Sequence, residues 1–268
     1  MDFSDGEALL RASHVGHEAA VRLLLADRDA RHALRGASPW CGRALRAAAK
    51  GGHCGVVRLL LDARADLEGE LETEDENESG DSPLVLASSS GRLEVIRELL
   101  HRAAEIDRPS GGLTPLMAAS ASTASGASGA LAALLAAGAE VNRRCEGATA
   151  LLWAATCGHG LPLLLAARAD VGCPDESGGT ALIWAAAEGR ADVVEALLQA
   201  GAGLNCADHA GRSALSWAAA RGHEPAMKAL LIAGADQEAR DCDGISPQEW
   251  AAAEGVEEAF LRTLAALN

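Results

Sequence analysis

The sequence predicts an all-α repeat solenoid, a stack of helix–turn–helix units with hairpin-like loops between them. Three observations carry this expectation. A Thr/Ser-Pro/Ala-Leu start recurs along the chain. Its third residue falls at 84, 116, 151, 182, 215 and 248, at spacings of 32, 35, 31, 33 and 33. Each start opens two short apolar runs with i, i+3, i+4 spacing, separated by a glycine-containing turn. The apolar residues, 49% of the 268, are rich in alanine and leucine, with no Tyr and two Phe. That composition suits thin layers, each covering its neighbour's apolar side, better than one deep core.

The most regular copy runs from Gly178 to Asn205. Thr180 is placed to cap a helix that begins at Ala181, and Leu182, Ala185 and Ala186 form its buried face. Gly189 stops it. A second helix begins near Asp192, whose carboxylate suits a helix N-terminus. Val194, Leu197 and Leu198 repeat the spacing, and Gly201 supplies a left-handed stop. Helices of about two or three turns are marginal alone in water, so the pair requires a neighbour.

The other copies start at Ser82-Pro83-Leu84, Thr114-Pro115-Leu116, Thr149-Ala150-Leu151, Ser213-Ala214-Leu215 and Ser246-Pro247-Gln248, with degenerate copies at Leu9 and Leu45. Proline costs nothing at the first helical position, where its missing N–H would be unpaired anyway. These residues resemble the ankyrin repeat family, which has a 33-residue period and a T-P-L-H-x-A start. Residues 112–119 (Gly112 to Ala119), the Ala233-Gly234-Ala235-Asp236 run and Gly-His at 16–17, 52–53, 158–159 and 222–223 carry the resemblance. It covers nearly the whole chain as one solenoid, 1–268, in approximate repeats 1–36, 37–75, 76–107, 108–142, 143–173, 174–206, 207–239 and 240–268. One departure is systematic: the family's His after the Leu is replaced in every copy, by Leu10, Arg46, Val85, Met117, Leu152, Ile183, Ser216 and Glu249.

Individual repeats carry their own expectations. Ser4 to Glu7 reads as a capping box for the first helix. Arg64 and Arg168 stand at C-terminal stops that favour glycine. The segment 68–81 holds eight acids and no base, a solvated loop that could attract a basic partner. Its Asp75 to Gly80 imitates the opening of a calcium loop, but Leu86 stands where the closing Glu is required. The Ser-rich run 120–129 lengthens an inter-helix turn by about three residues, which loops tolerate at little entropic cost; phosphorylation there is the alternative use. Gln248 replaces the core leucine, and Ser246 with Glu249 forms a capping box. A polar last unit fits a C-terminal cap, and the sequence therefore reads as a complete, monomeric solenoid.

Composition and motifs exclude several classes of function. The net charge of −15 argues against a general nucleic-acid binder and favours basic partners. No apolar run reaches 18 residues, so no membrane span is expected, and the N-terminus lacks a signal peptide's basic start. Seven scattered cysteines without Cys-x-x-Cys fit reduced intracellular thiols, and the expected location is the cytoplasm, with the nucleus as the alternative. Neither a phosphate-cradling loop nor His-Glu-x-x-His occurs. No cofactor, metal or enzyme activity is expected.

The candidate site is a protein-binding surface. Trp153, Trp184, Trp217 and Trp250 share one repeat position on first helices, which line the concave side in the resembled family. They would stack in a column as inter-repeat core, or else expose their edges as an aromatic stripe for a partner. By fold geometry the variable surface adds Glu188, Arg221 and Glu254 from helix ends. From the loops it adds Arg143, Arg144, Asp175, Asp208, His209, Arg212 and Asp241. The expected function is a protein–protein interaction scaffold or adaptor, its partner unnamed by the residues. The alternative is a regulatory subunit whose acidic loop 68–81 engages a basic enzyme or nucleic-acid-binding protein.

Overall fold

A computed structural model describes residues 3–26, 39–68, 80–157 and 159–266, with residues 3 and 4 described in the backbone only. The described residues form sixteen α-helices and no strands, with isolated β-bridges at Ser110–Leu113, Cys145–Ala148 and Ala207–Ser213. The chain divides into two compact units, Met1–Glu140 and Val141–Asn268.

The first unit holds α1 (Phe3–Val15), α2 (Glu18–Ala26), α3 (Pro39–Gly51), α4 (Cys54–Asp62), α5 (Pro83–Ser89), α6 (Leu93–His101), α7 (Pro115–Ala121) and α8 (Ala127–Ala136). The second holds α9 (Ala150–Cys157), α10 (Leu161–Ala166), α11 (Ala181–Ala187), α12 (Ala191–Gln199), α13 (Ala214–Ala220), α14 (Glu224–Ile232), α15 (Pro247–Ala253) and α16 (Glu257–Ala265). Within each unit first helices pack on first helices and second on second: α1 on α3, α3 on α5 and α5 on α7, then α9 on α11, α11 on α13 and α13 on α15. Leu45, Leu84 and Leu116 fill one such core, and Leu151, Leu182 and Leu215 the other.

The helix starts follow from local chemistry. Ser82, Thr114, Thr180, Ser213 and Ser246 are extended N-caps whose hydroxyls accept the N3 amide, and Ser246 completes a capping box with Glu249. Proline occupies the first turn at 83, 115 and 247. At the turn after α11, Gly189 has φ +69°, and a Cβ there would lie 2.6 Å from the His223 ring. His223 bonds the Ala187 carbonyl of the preceding repeat at 3.0 Å, and His53 bonds that of His14 at 3.1 Å. His53 and His223 therefore supply inter-repeat ties where the start histidine is missing.

Several expectations need correction. The first helix already includes Phe3 and Ser4, so Ser4 is not its cap; Glu7 instead pairs with Arg11 one turn on. The left-handed stops at Arg64 (φ 64°) and Arg168 (φ 62°) are joined by a third non-glycine, Ala103 (φ 66°). Five residues, 122–126, separate α7 from α8 where three separate α11 from α12, so the turn is longer by two rather than three. Ser122 in that turn is buried with its hydroxyl on the Ser89 carbonyl. Most of the acidic segment, 69–79, lies outside the described residues. At its near end Glu68 accepts the Glu105 amide of the next repeat at 2.9 Å. Gln248 is exposed.

Candidate functional site

The second unit carries four half-buried tryptophans, Trp153, Trp184, Trp217 and Trp250, each in the first turn of its first helix. Their loops explain their placement. Asp175, Asp208 and Asp241 each stand five residues before a Ser or Thr cap. One carboxylate oxygen accepts two loop amides: Ser177 and Gly179 at 2.8 Å, Ala210 and Arg212 at 3.0 and 2.9 Å, Asp243 and Ile245 at 3.0 and 2.9 Å. The other oxygen accepts an indole N–H nine residues on, from Trp184 at 2.7 Å, Trp217 at 2.9 Å and Trp250 at 2.7 Å. One acid thus shapes each loop and fixes one ring.

The electrostatics match. Burial opposes ionisation of Asp175, but the bonds from Ser177, Trp184 and Gly179 together hold its pKa below the ordinary carboxylate value. Burial also works against Asp241, and the Ile245 amide, Trp250, the Asp243 amide and the Arg212 charge outweigh it.

The fifth repeat breaks the pattern. Arg144 occupies the aspartate's register position, bonding the Gly147 carbonyl at 3.0 Å and the Cys173 sulfur at 3.3 Å. Its loop closes instead as a two-residue hairpin between Cys145 and Ala148, with Glu146 and Gly147 at φ 47° and 74°. The Trp153 indole N–H, buried, is left with no acceptor.

Successive indoles stand in a row, and the spaces between them differ. Arg212 fills the last, its guanidinium 5.2 Å from the Trp217 ring and 4.4 Å from that of Trp250. It pairs with Asp241 at 3.7 Å, too long for a hydrogen bond. Between Trp184 and Trp217, where Gly179 holds Arg212's register position, a gap of about 40 Å³ remains. Between Trp153 and Trp184, where Ala148 holds it, there is a recess of about 250 Å³ lined by Ala148, Leu152, Trp153, Thr156, Asp175 and Trp184.

Known families account for the repeat. A model of ankyrin repeats in three copies matches residues 9–110, 45–145, 122–208, 151–241 and 182–265. The chain belongs to the ankyrin repeat family. It is similar to Neurogenic locus notch homolog protein 1 of Xenopus tropicalis, 35% identical over 123 residues; these are 45% of this chain and 5% of that protein. The chain thus matches a small part of that relative's length.

Ankyrin repeats are protein–protein interaction modules, which directs attention to the exposed residues. Glu188, Arg221 and Glu254 sit at the C-caps of α11, α13 and α15, and all three are exposed. Arg221 reaches back to Glu188 at 3.2 Å and to the Ala187 carbonyl at 3.1 Å, with its guanidinium 5.6 Å from the Trp217 ring. Arg144 and His209 are exposed at loop tips, and Arg143 is half-buried. The loop aspartates and Arg212 differ from the expected free surface. Asp241 has a fully buried side chain, Asp175 and Asp208 are half-buried, and their oxygens are engaged internally. The indole row is half core and half surface.

The aspartate–indole pairs, the Arg212 sandwich and the recess are absent from the sequence reading. The first had a signal: Asp five before the cap occurs with Trp four after it in three repeats. Among the described residues no group of three or more His, Cys, Asp or Glu could hold a metal ion, and no helix is long and apolar enough to cross a membrane.

Proposed function

We propose that this ankyrin-repeat chain is a scaffold or adaptor that binds a protein partner through its second unit. The contact face combines the exposed edges of the indole row with the charged C-caps of the first helices. The observation that supports this is the row itself: three rings are held in place by aspartates yet remain half-exposed, beside the Glu188–Arg221 pair. Rigid, half-exposed aromatic side chains with charged neighbours are what interface hot spots are made of. A fixed ring loses little freedom when a partner covers it.

Affinity capture from the native cell with quantitative mass spectrometry tests the reading. A triple variant, Glu188→Arg with Arg221→Glu and Glu254→Arg, should lose the wild type's enriched partner by about tenfold or more while keeping its helical circular dichroism. Equal capture by both proteins would refute the face.

A further inference from the structure

The recess between Trp153 and Trp184 has a filled counterpart in the same unit, and the counterpart defines what would fit. In the repeats that start at Ser213 and Ser246, Arg212 lies between two successive indoles, Trp217 and Trp250, and faces Asp241. One residue before the start at Thr149, the same register position is Ala148. There the flanking indoles are Trp153 and Trp184, and the acid of the following repeat is Asp175. Ala148, both indoles and Asp175 all line the recess. Every wall of the Arg212 slot is therefore present, and the arginine is missing.

We infer that the recess receives an arginine side chain of the partner protein, its guanidinium between the Trp153 and Trp184 rings and facing Asp175. Four features favour this occupant. The internal Arg212 shows that such a pair of indoles accepts a guanidinium, by stacking and by attraction to the ring faces. Asp175 stays ionised at neutral pH; its Oδ1 is taken by Ser177 and Gly179, while Oδ2 accepts only from Trp184, so it offers the occupant a negative charge. The chain's net charge of −15 draws cations toward it. At about 250 Å³ the recess exceeds the 150 Å³ or so that holds a benzene ring and falls below the roughly 300 Å³ where drug-sized ligand sites begin. One large side chain is the right scale. This inference rests on the reading that the second unit binds a protein, and it names the anchor.

The test needs no partner. N-acetyl-arginine-N-methylamide is titrated into the ¹⁵N-labelled full chain, and the five indole N–H signals are followed by NMR. Those of Trp153 and Trp184 are assigned by single Phe substitutions. The expected result is a saturable shift of both signals, with a dissociation constant on the order of 1–10 mM, the range of a single anchored side chain. The Trp250 signal should not move, because Arg212 already fills its slot. The neutral citrulline analogue should bind at least about tenfold more weakly. Ala148→Arg should abolish the shift by filling the slot from within. Arg212→Ala should open a second slot, so that the arginine probe now moves Trp250. Either variant alone tests the register argument if the other fails to fold.

Motionless Trp153 and Trp184 signals would overturn the inference. So would equal binding of the citrulline or leucine analogue, which would make the recess a plain apolar anchor. Unchanged binding to Ala148→Arg would place the probe elsewhere and overturn it too. None of these outcomes touches the capture experiment with the helix-end triple variant. The face could survive while the anchor fails, and the reverse holds as well.

Discussion

Asp241 offers a sharp test of how the last repeat is held. Its side chain is fully buried and accepts from Trp250 at 2.7 Å, Asp243 at 3.0 Å and Ile245 at 2.9 Å, while Arg212 stands 3.7 Å away. Asp241→Asn keeps the shape and replaces one acceptor oxygen with a donor. In one amide orientation the Trp250 N–H is orphaned; in the other the two backbone amides face an NH₂ group. An unsatisfied buried donor costs about 1–3 kcal/mol, and losing the charged acceptor for the remaining bonds brings the total to about 2–4 kcal/mol. Asp175→Asn, at a half-exposed position where water can substitute, should cost only about 1 kcal/mol. Terminal repeats open locally, so the assay is hydrogen exchange by mass spectrometry on peptides covering 240–254 alongside urea unfolding. The pH dependence has a definite sign. Asp241's folded pKa lies below its unfolded value of about 3.9, so its contribution is fully present above that value. It is lost as pH falls through the folded pKa, and the stability gap between the wild type and Asp241→Asn should narrow below about pH 4. A cost under about 0.5 kcal/mol at neutral pH, or a gap that stays constant down to about pH 2, would refute the account.

Three further outcomes are expected. Arg64→Gly and Arg168→Gly should each stabilise the protein by about 1 kcal/mol, read as a rise in thermal midpoint of about 2–4 °C, because both residues hold left-handed backbone that glycine adopts freely. Burial pushes the Cys41 thiol up to about 11, so under mildly alkaline conditions it should resist a thiol reagent until the chain unfolds, while exposed Cys206 and Cys242 react at once. Glu98 bonds Arg58 at 2.8 Å and Arg102 at 3.1 Å across α4 and α6, and its pKa is lowered chiefly by the Arg58 bond; with these arginines partly exposed, Glu98→Gln should change the urea midpoint only slightly, and less still in about 1 M salt.

The legible part of the fold is the part set by neighbours in sequence. Ser82, Thr114 and Ser246 announce helix starts because a hydroxyl capping the amide three residues on is a local bond that needs no partner from elsewhere. Gly189 and Gly201 announce stops for the same reason. Ala103 was less visible: nothing about Ala favours left-handed backbone, and only the register of the repeats places it there. The site was half-legible. Its tryptophans were found by repetition, and their half-burial falls between the two readings the sequence left open. Acids in loops usually face water, so the sequence alone places these aspartates on the surface. Here the same spacing that puts Asp241 in a loop puts its second oxygen against an indole, and the carboxylate turns inward. What Arg212 does could not be read at all, because a guanidinium between two rings depends on the distance between layers, not on any interval along the chain.

That dependence makes the fifth repeat informative. Where a repeat keeps Asp before its cap and Trp after it, the loop and the ring lock each other, as at Asp175 and Trp184. Arg144 removes the lock, and Ala148 is too short to fill the space that Arg212 fills two repeats on, so one loop carries both defects. The cost falls on stability: a buried Trp153 N–H without an acceptor and an unfilled recess are both unfavourable in the isolated chain. Neither is forced by the fold, since the repeats starting at Ser213 and Ser246 solve both problems with residues that fit. Restoring the lock with Arg144→Asp should therefore raise stability by about 1–2 kcal/mol, measured by urea unfolding, with the Trp153 indole proton newly protected from exchange. If that variant is no more stable than the parent, the loop's hairpin closure at Glu146-Gly147 already compensates, and the departure at 144 carries no cost that a partner could relieve.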